Sequence, residues 1–279
     1  MLILACGPLG NAGDTTNRVK SAIASVPYIA AEDSRKLARL TGDLDIRYTG
    51  KVISYFEGNE SERIAQLTEI LLSGEDLLVI TDAGAPGISD PGYRLIRSAI
   101  DHQIPIQVLP GPSAVTTALL LSGMATDRFC FEGFAPRTSG ARKSWYEKLV
   151  TEERTIIFFE APHRLQESLT DALAILGEGR RAAICREMTK IYEETIRGTL
   201  VELLNWSSER EILGEITVVL EGFDPSSRSY DAADLVAMVL ARESAGESRK
   251  EAIASISRDL ELPKRLVFDA MVGSKAAGR

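Results

Sequence analysis

Leu77-Leu78-Val79-Ile80-Thr81-Asp82-Ala83-Gly84-Ala85-Pro86-Gly87-Ile88-Ser89-Asp90-Pro91-Gly92-Tyr93 decides how this chain is read. The first four residues are apolar without alternation, the pattern of a strand buried on both faces, as in a parallel sheet. The strand reads as ending at Thr81 and a helix as starting at Tyr93. Three glycines and two prolines stand between them, too stiff and too costly in chain entropy for a mere connector. The stretch therefore reads as a ligand loop. Asp82 sits where the buried strand gives out, the usual place for a carboxylate that accepts hydrogen bonds from ribose hydroxyls. Asp90 before Pro91 reads as a helix N-cap with proline in the first turn.

The same rhythm extends outward in both directions. Strands are expected at residues 2–6, 28–31, 52–55, 77–81 and 106–109, with helices near 15–25, 34–41, 61–72 and 93–101. That alternation implies βαβ units and a mostly parallel sheet. Ligands of such sheets lie outside the carboxyl ends of the strands. The Gly/Pro-rich loops fall there: Gly7-Pro8-Leu9-Gly10-Asn11, residues 82–87 and Pro110-Gly111-Pro112-Ser113. Beyond residue 111 the chain becomes richer in strands, expected at 129–134, 155–159, 182–186, 193–197 and 215–221. Helices are expected at 141–150, 164–176 and 200–206. Asp224-Pro225-Ser226-Ser227 reads as a linker to helices at 232–242, 249–260 and from Pro263 to about Met271. The expected organisation is an N-terminal α/β domain with a mostly parallel sheet (1–111), a second α/β domain with a mixed sheet (112–225) and a helical C-terminal region (226–279).

Several classes are excluded or disfavoured. Residues 2–6 read as the first strand rather than the apolar part of a secretory signal, and no apolar run is long enough to span a bilayer. Cys6, Cys130 and Cys185 are far apart and odd in number, which suggests reduced thiols and no metal site. The first loop has no Gly-Lys-Ser/Thr ending and no Gly-x-Gly-x-x-Gly fingerprint, so triphosphates and dinucleotides are disfavoured. A net charge of −8 argues against bulk attraction to nucleic acid. Any RNA surface must be a local patch.

Read together, Pro8-Leu9-Gly10-Asn11, Ala31-Glu32-Asp33-Ser34-Arg35, residues 81–93, residues 110–114, Phe131-Glu132-Gly133-Phe134, Glu160-Ala161-Pro162-His163-Arg164, Arg186-Glu187-Met188-Thr189-Lys190 and Gly214-Glu215 resemble the tetrapyrrole methylase superfamily. Within it, they are similar to the branch that methylates small-subunit ribosomal RNA. The match runs in order over nearly the whole chain. It departs from the family pattern at Gly7, at Ala85 and across residues 55–60. The resemblance implies S-adenosylmethionine bound in a cleft between two α/β domains, with a small helical segment after them. It also implies a homodimer, which the reduced thiols place in the cytoplasm, and methylation of the ribose 2′-hydroxyl of a cytidine in the decoding region of 16S rRNA. Carried over by position, cofactor contacts would come from Leu9, Asp82, Gly84, Ile88, Ser89, Ser113, Ala114, Phe159, Glu160, Gly214, Glu215 and Ile216. The alternatives are a methylase of a small tetrapyrrole and a nucleotide-binding enzyme of another class.

A ribose hydroxyl is a weak nucleophile, so a base or a nearby cation would help. Glu160 or His163 is a candidate base, and Arg186 or Lys190 a candidate cation; the same residues also read as a salt-bridged structural network. Arg137, Arg142 and Lys143 lie in a short basic run that reads either as an RNA-phosphate contact or as a solvated loop. The C-terminal helices have helix-turn-helix-like spacing and read either as an RNA reader or as packing.

Overall fold

The computed structural model describes residues 1–225, 232–260 and 262–277. By compactness it divides into a unit spanning Met1–Glu221 and a second spanning Gly222–Arg279.

The first unit opens with β1 (Leu2–Ala5), α1 (Asn17–Ser25), β2 (Tyr28–Ala31), α2 (Ser34–Asp43), β3 (Lys51–Ser54), α3 (Glu60–Leu72), β4 (Leu77–Ile80), α4 (Tyr93–Asp101) and β5 (Ile106–Leu109). The five strands form one parallel sheet in the order β3-β2-β4-β1-β5. Side chains alternate across a strand, so β1 sends Leu2 and Leu4 to one face and Ile3 and Ala5 to the other. The first pair packs with Leu67 and Leu71 of α3 and Leu95 and Ala99 of α4. The second pair packs with Val19 and Ile23 of α1 and Leu37 of α2. Burial on both faces is why β1 and β4 are apolar throughout.

A second group follows: α5 (Ala114–Ser122), β6 (Phe129–Phe134), α6 (Ser139–Leu149), β7 (Thr155–Glu160), α7 (Leu165–Leu176), β8 (Arg181–Arg186), β9 (Glu194–Thr199), α8 (Leu200–Ser208) and β10 (Ile216–Leu220). Its sheet runs β6-β7-β10-β8-β9 and is mixed: β6 and β7 are parallel, whereas β10 is antiparallel to β7 and β8. Val115, Ala118 and Leu119 of α5 cover Ile157, Ala183 and Val219 on one face. On the other face, α6, α7 and α8 bury Ile156, Phe158, Ile184 and Val218. The strand expected at 193–197 runs from Glu194 to Thr199.

The second unit contains α9 (Ala232–Ser244), α10 (Arg249–Asp259) and α11 (Lys264–Ala277). Leu235, Val239, Ala252, Ile256 and Val267 make a core of their own. Ser248 and Glu251 cap α10 reciprocally. The linker expected at residues 224–227 extends beyond the described residues. Among the described residues, no helix is long and apolar enough to cross a membrane, and no cluster could hold a metal ion.

Candidate active site

From β1 the chain crosses to β2 past β4, and from β4 it crosses to β5 past β1. The loops after β1 and β4 therefore leave in opposite directions, and a crevice opens where they part. At its floor Gly7 and Gly84 exchange hydrogen bonds, Gly7 N–H to Gly84 C=O at 2.8 Å and the reverse at 3.2 Å. The loop after β4 is tied to itself and to α3. Gly87 N–H donates to Pro91 C=O, and the Glu60 carboxylate accepts from Gly92 N–H and from the Tyr55 hydroxyl. Gly92 has φ 144°, and a Cβ there would stand 2.9 Å from Gly87 N, so this close approach requires glycine.

The crevice holds a cavity of 360 Å³. All twelve positions taken from the resemblance line it: Leu9, Asp82, Gly84, Ile88, Ser89, Ser113, Ala114, Phe159, Glu160, Gly214, Glu215 and Ile216. Ser113 is the N-cap of α5 but makes no side-chain capping bond. Glu32 also lines the cavity, as do Lys36, Asp90, Phe134 and Met188, which no local signal in the sequence assigns to it. A smaller cavity of 260 Å³ adjoins, sharing Leu9, Glu32, Lys36, Asp82 and Glu215 and adding Arg39 and Lys190.

Carboxylates dominate the first-sheet wall. The Asp82 carboxylate accepts Asp33 N–H at 3.2 Å and pairs with Lys36 Nζ at 2.8 Å. Asp82 N–H in turn donates to Glu32 at 2.9 Å. Burial pushes the Glu32 carboxyl above the ordinary carboxylate range. Asp90 is pushed further, to about 7, by burial first and then by the charges of Glu32, Asp82 and Glu215. The expected N-cap role for Asp90 is corrected: the cap of α4 is Gly92, without a side-chain bond, and Asp90 faces the cavity. The Asp-Pro spacing concealed this, because the chain turns for two residues after Asp90 before α4 begins.

The second-sheet wall is a network of ion pairs. Glu160 ends β7 at 2% exposure; its Oε1 accepts Ala161 N–H at 2.8 Å and pairs with Arg164 at 2.7 Å. Its Oε2 is buried without a partner. In the loop after β8, Lys190 Nζ sits 2.8 Å from Glu187 and 3.0 Å from Glu215. Burial opposes ionisation of Glu187, but Lys190 and the Glu215 N–H outweigh it and hold the carboxyl below its ordinary range.

Of the four catalytic candidates, Glu160 and Lys190 reach the cavities. The other two do not: His163 points to solvent from a single turn at Pro162–Arg164, and Arg186 is engaged by Glu194 at 3.1 Å and by Leu213 C=O; neither lines either cavity. The basic run is corrected as well. Residues from Ser139 onward are helical, and Arg142 is fully buried against Asp171 at 2.7 Å. It also donates to Pro136 C=O, bracing the turn after β6. Arg142 cannot touch a phosphate there; Arg137 and Lys143 are exposed.

The family model for tetrapyrrole (corrin/porphyrin) methylases matches residues 1–204. A Mycobacterium bovis protein named ribosomal RNA small subunit methyltransferase I is 44% identical, covering 98% of this chain and 95% of that one. Proteins of the same name are 39% identical in Halalkalibacterium halodurans (96% and 93% covered) and 36% identical in Synechocystis (100% and 99%). The methyltransferase CobJ superposes with a TM-score of 0.62 at 16% identity, covering 79% of this chain and 93% of that one. Uroporphyrin-III C-methyltransferase from Thermus thermophilus, complexed with S-adenosylhomocysteine, superposes with a TM-score of 0.56 at 16% identity, covering 79% and 96%.

Proposed function

The chain belongs to the tetrapyrrole methylase family and is an S-adenosylmethionine-dependent methyltransferase; on that premise we propose that its acceptor is the ribose 2′-hydroxyl of a cytidine in the decoding region of 16S rRNA. The observation that carries the cofactor half of the reading is the acidic cavity at the crevice between the loops after β1 and β4. Its lining suits the cofactor: Glu32, Asp82, Asp90, Glu160 and Glu215 face a site where a sulfonium cation belongs, and Leu9, Ile88, Phe159 and Met188 supply apolar wall. No lysine-bearing glycine loop is present to cradle phosphates. The choice of RNA over a macrocycle rests on near full-length relatives named for ribosomal RNA, whereas the likeness to porphyrin enzymes is one of fold.

S-adenosylmethionine, when bound, supplies a methyl group on sulfur that is open to displacement. We assign its binding to the twelve lining residues that the family resemblance selected, with Lys36 fixing the Asp82 carboxylate. Asp90, with its pKa near 7, is the group best matched to take the hydroxyl proton at neutral pH, on a carboxylate oxygen. Glu160, which lines the same cavity, is the second candidate base, and Lys190 the cation at the rim. Arg137 and Lys143 are the phosphate contacts we retain. We further read residues 1–111 and 112–225 as the two halves of the cleft, residues 226–279 as a helix-turn-helix-like appendage, and the active form as a cytoplasmic homodimer.

The test is methyl transfer from labelled S-adenosylmethionine to small ribosomal subunits that lack the modification, followed by mass mapping of the rRNA. One ribose-methylated cytidine in the decoding region is the expected product. Label on a base, or none on rRNA, would sink the assignment.

A further inference from the structure

The connection between β8 and β9 ends in a tip that nothing in the first unit covers. Ile191, at 94% exposure, is the most exposed large hydrophobic side chain among the described residues, and Tyr192, at 72%, the most exposed aromatic one. Single exposed apolar residues need no explanation, but the backbone beneath this pair is unusual. Glu187 and Thr189 adopt φ of 51° and 66°, a left-handed conformation that costs free energy for residues with a Cβ. The surroundings impose it. Glu187 N–H donates to Glu215 C=O, Lys190 N–H to Glu187 C=O, and Glu193 N–H to Lys190 C=O. Thr189 N–H donates to the Glu193 carboxylate, and the Thr189 hydroxyl accepts Asn11 N–H at 3.2 Å from the loop after β1. Lys190 lies so close over Gly10 that a Cβ there would stand 2.2 Å from it. The tip is thus fixed at the rim of the smaller cavity, which Lys190 itself lines.

The acids around the tip are already engaged: Glu187 by Lys190, Glu193 by Thr189 N–H, and Glu194 by Arg186 and Arg210. What the tip offers outward is one flat aromatic ring and one branched aliphatic group, which suit the face of a base better than a phosphate. A nucleotide in folded RNA must leave its stack before its ribose can enter a cavity, and the gap it leaves is apolar and flat. Resting on the acceptor assigned above, we propose that Ile191 and Tyr192 form a wedge that stacks on the bases flanking the target nucleotide and holds them apart while its ribose is in the cleft.

The test compares full-length wild type with Tyr192→Phe and with the double variant Ile191→Ser/Tyr192→Ser. The readouts are single-turnover methyl transfer to subsaturating small subunits, calorimetric affinity for S-adenosylmethionine, thermal unfolding and molar mass by light scattering. Both side chains project into solvent, so the core is untouched. The double variant should lose roughly ten- to a hundredfold in transfer rate, the scale of lost base–aromatic stacking, and Tyr192→Phe should keep the wild-type rate. Cofactor affinity, unfolding temperature and mass should not change. Undiminished transfer by the double variant overturns the wedge and leaves the acceptor assignment standing. A loss that follows conversion of dimer to monomer overturns it in favour of a contact between two copies of the chain. A wild type that leaves rRNA unmethylated overturns the acceptor assignment, and the wedge with it.

Discussion

The cavity wall contributed by the first sheet is closed by backbone, with glycine loops joined through main-chain hydrogen bonds and carboxylates mounted on that frame; the wall contributed by the second sheet is held chiefly by side chains paired by charge. Gly7 and Gly84 pair directly, and Gly92 leaves no room for a Cβ. Opposite them, Glu160 depends on Arg164, and Lys190 on Glu187 and Glu215. Behind that second wall Arg142 and Asp171 are both buried, with Arg142 bracing Pro136 two residues beyond Phe134 of the lining. The difference is physical. The parallel sheet delivers two loops side by side, so backbone can close the gap, whereas at the ends of the mixed sheet one backbone bond, Glu187 N–H to Glu215 C=O, is supplemented by long charged side chains.

The sharpest way to break this contrast is at Arg142. If the second wall stands on buried charge, Arg142→Ala leaves the buried Asp171 with only the Ser139 hydroxyl and Lys143 and should cost about 3 kcal/mol of stability in urea unfolding. Arg137→Ala, a few residues away and exposed, should change it by less than about 0.5 kcal/mol. Equal effects would show that Arg142 braces nothing.

A smaller effect is expected on the backbone wall. Gly92→Ala should cost about 1–3 kcal/mol, since its φ of 144° and the 2.9 Å approach to Gly87 N both resist a Cβ. Calorimetry should show weaker binding of S-adenosylmethionine in the same variant. Wild-type stability together with wild-type affinity would mean that the loop yields freely and the wall is not rigid.

The mildest test concerns Asp90, which faces the cavity between the two walls. Its folded pKa, about 7, lies above the unfolded value of 3.8, so the folded protein keeps a proton that the unfolded chain gives up. Stability therefore falls as pH rises from about 4 to 7 and levels off above that window. Asp90→Asn should match wild type near pH 4 and unfold at a higher temperature than wild type at pH 8. In single-turnover transfer the same variant should be slower at every pH and lose the rise in rate through neutrality. A stability difference independent of pH would remove Asp90 from the role of proton acceptor.

How much of this could be read beforehand differs between the walls. The apolar four-residue runs of β1 and β4 and the Gly/Pro loops after them are local signals, and they pointed to the crevice in advance, whereas the twelve lining positions came from the family resemblance. Lys190 was legible only as a choice between catalysis and scaffold, because its partners Glu187 and Glu215 are brought to it through tertiary pairing of β8 with β10.

The sequence by itself determined the ladder of strands and helices, the mixed character of the second sheet and the likeness to a methyltransferase family. Burial periodicity and turn chemistry are written within each short segment. Only the tertiary structure decided where individual polar side chains go. It turned Asp90 from a helix cap into a cavity carboxyl, drew Arg142 from an expected surface into the core against Asp171, and left His163 in solvent. Those outcomes depend on neighbours brought from far along the chain. Asp171 lies 29 residues from Arg142, and no local pattern records which distant partner will stand opposite a charged group once the layers have packed.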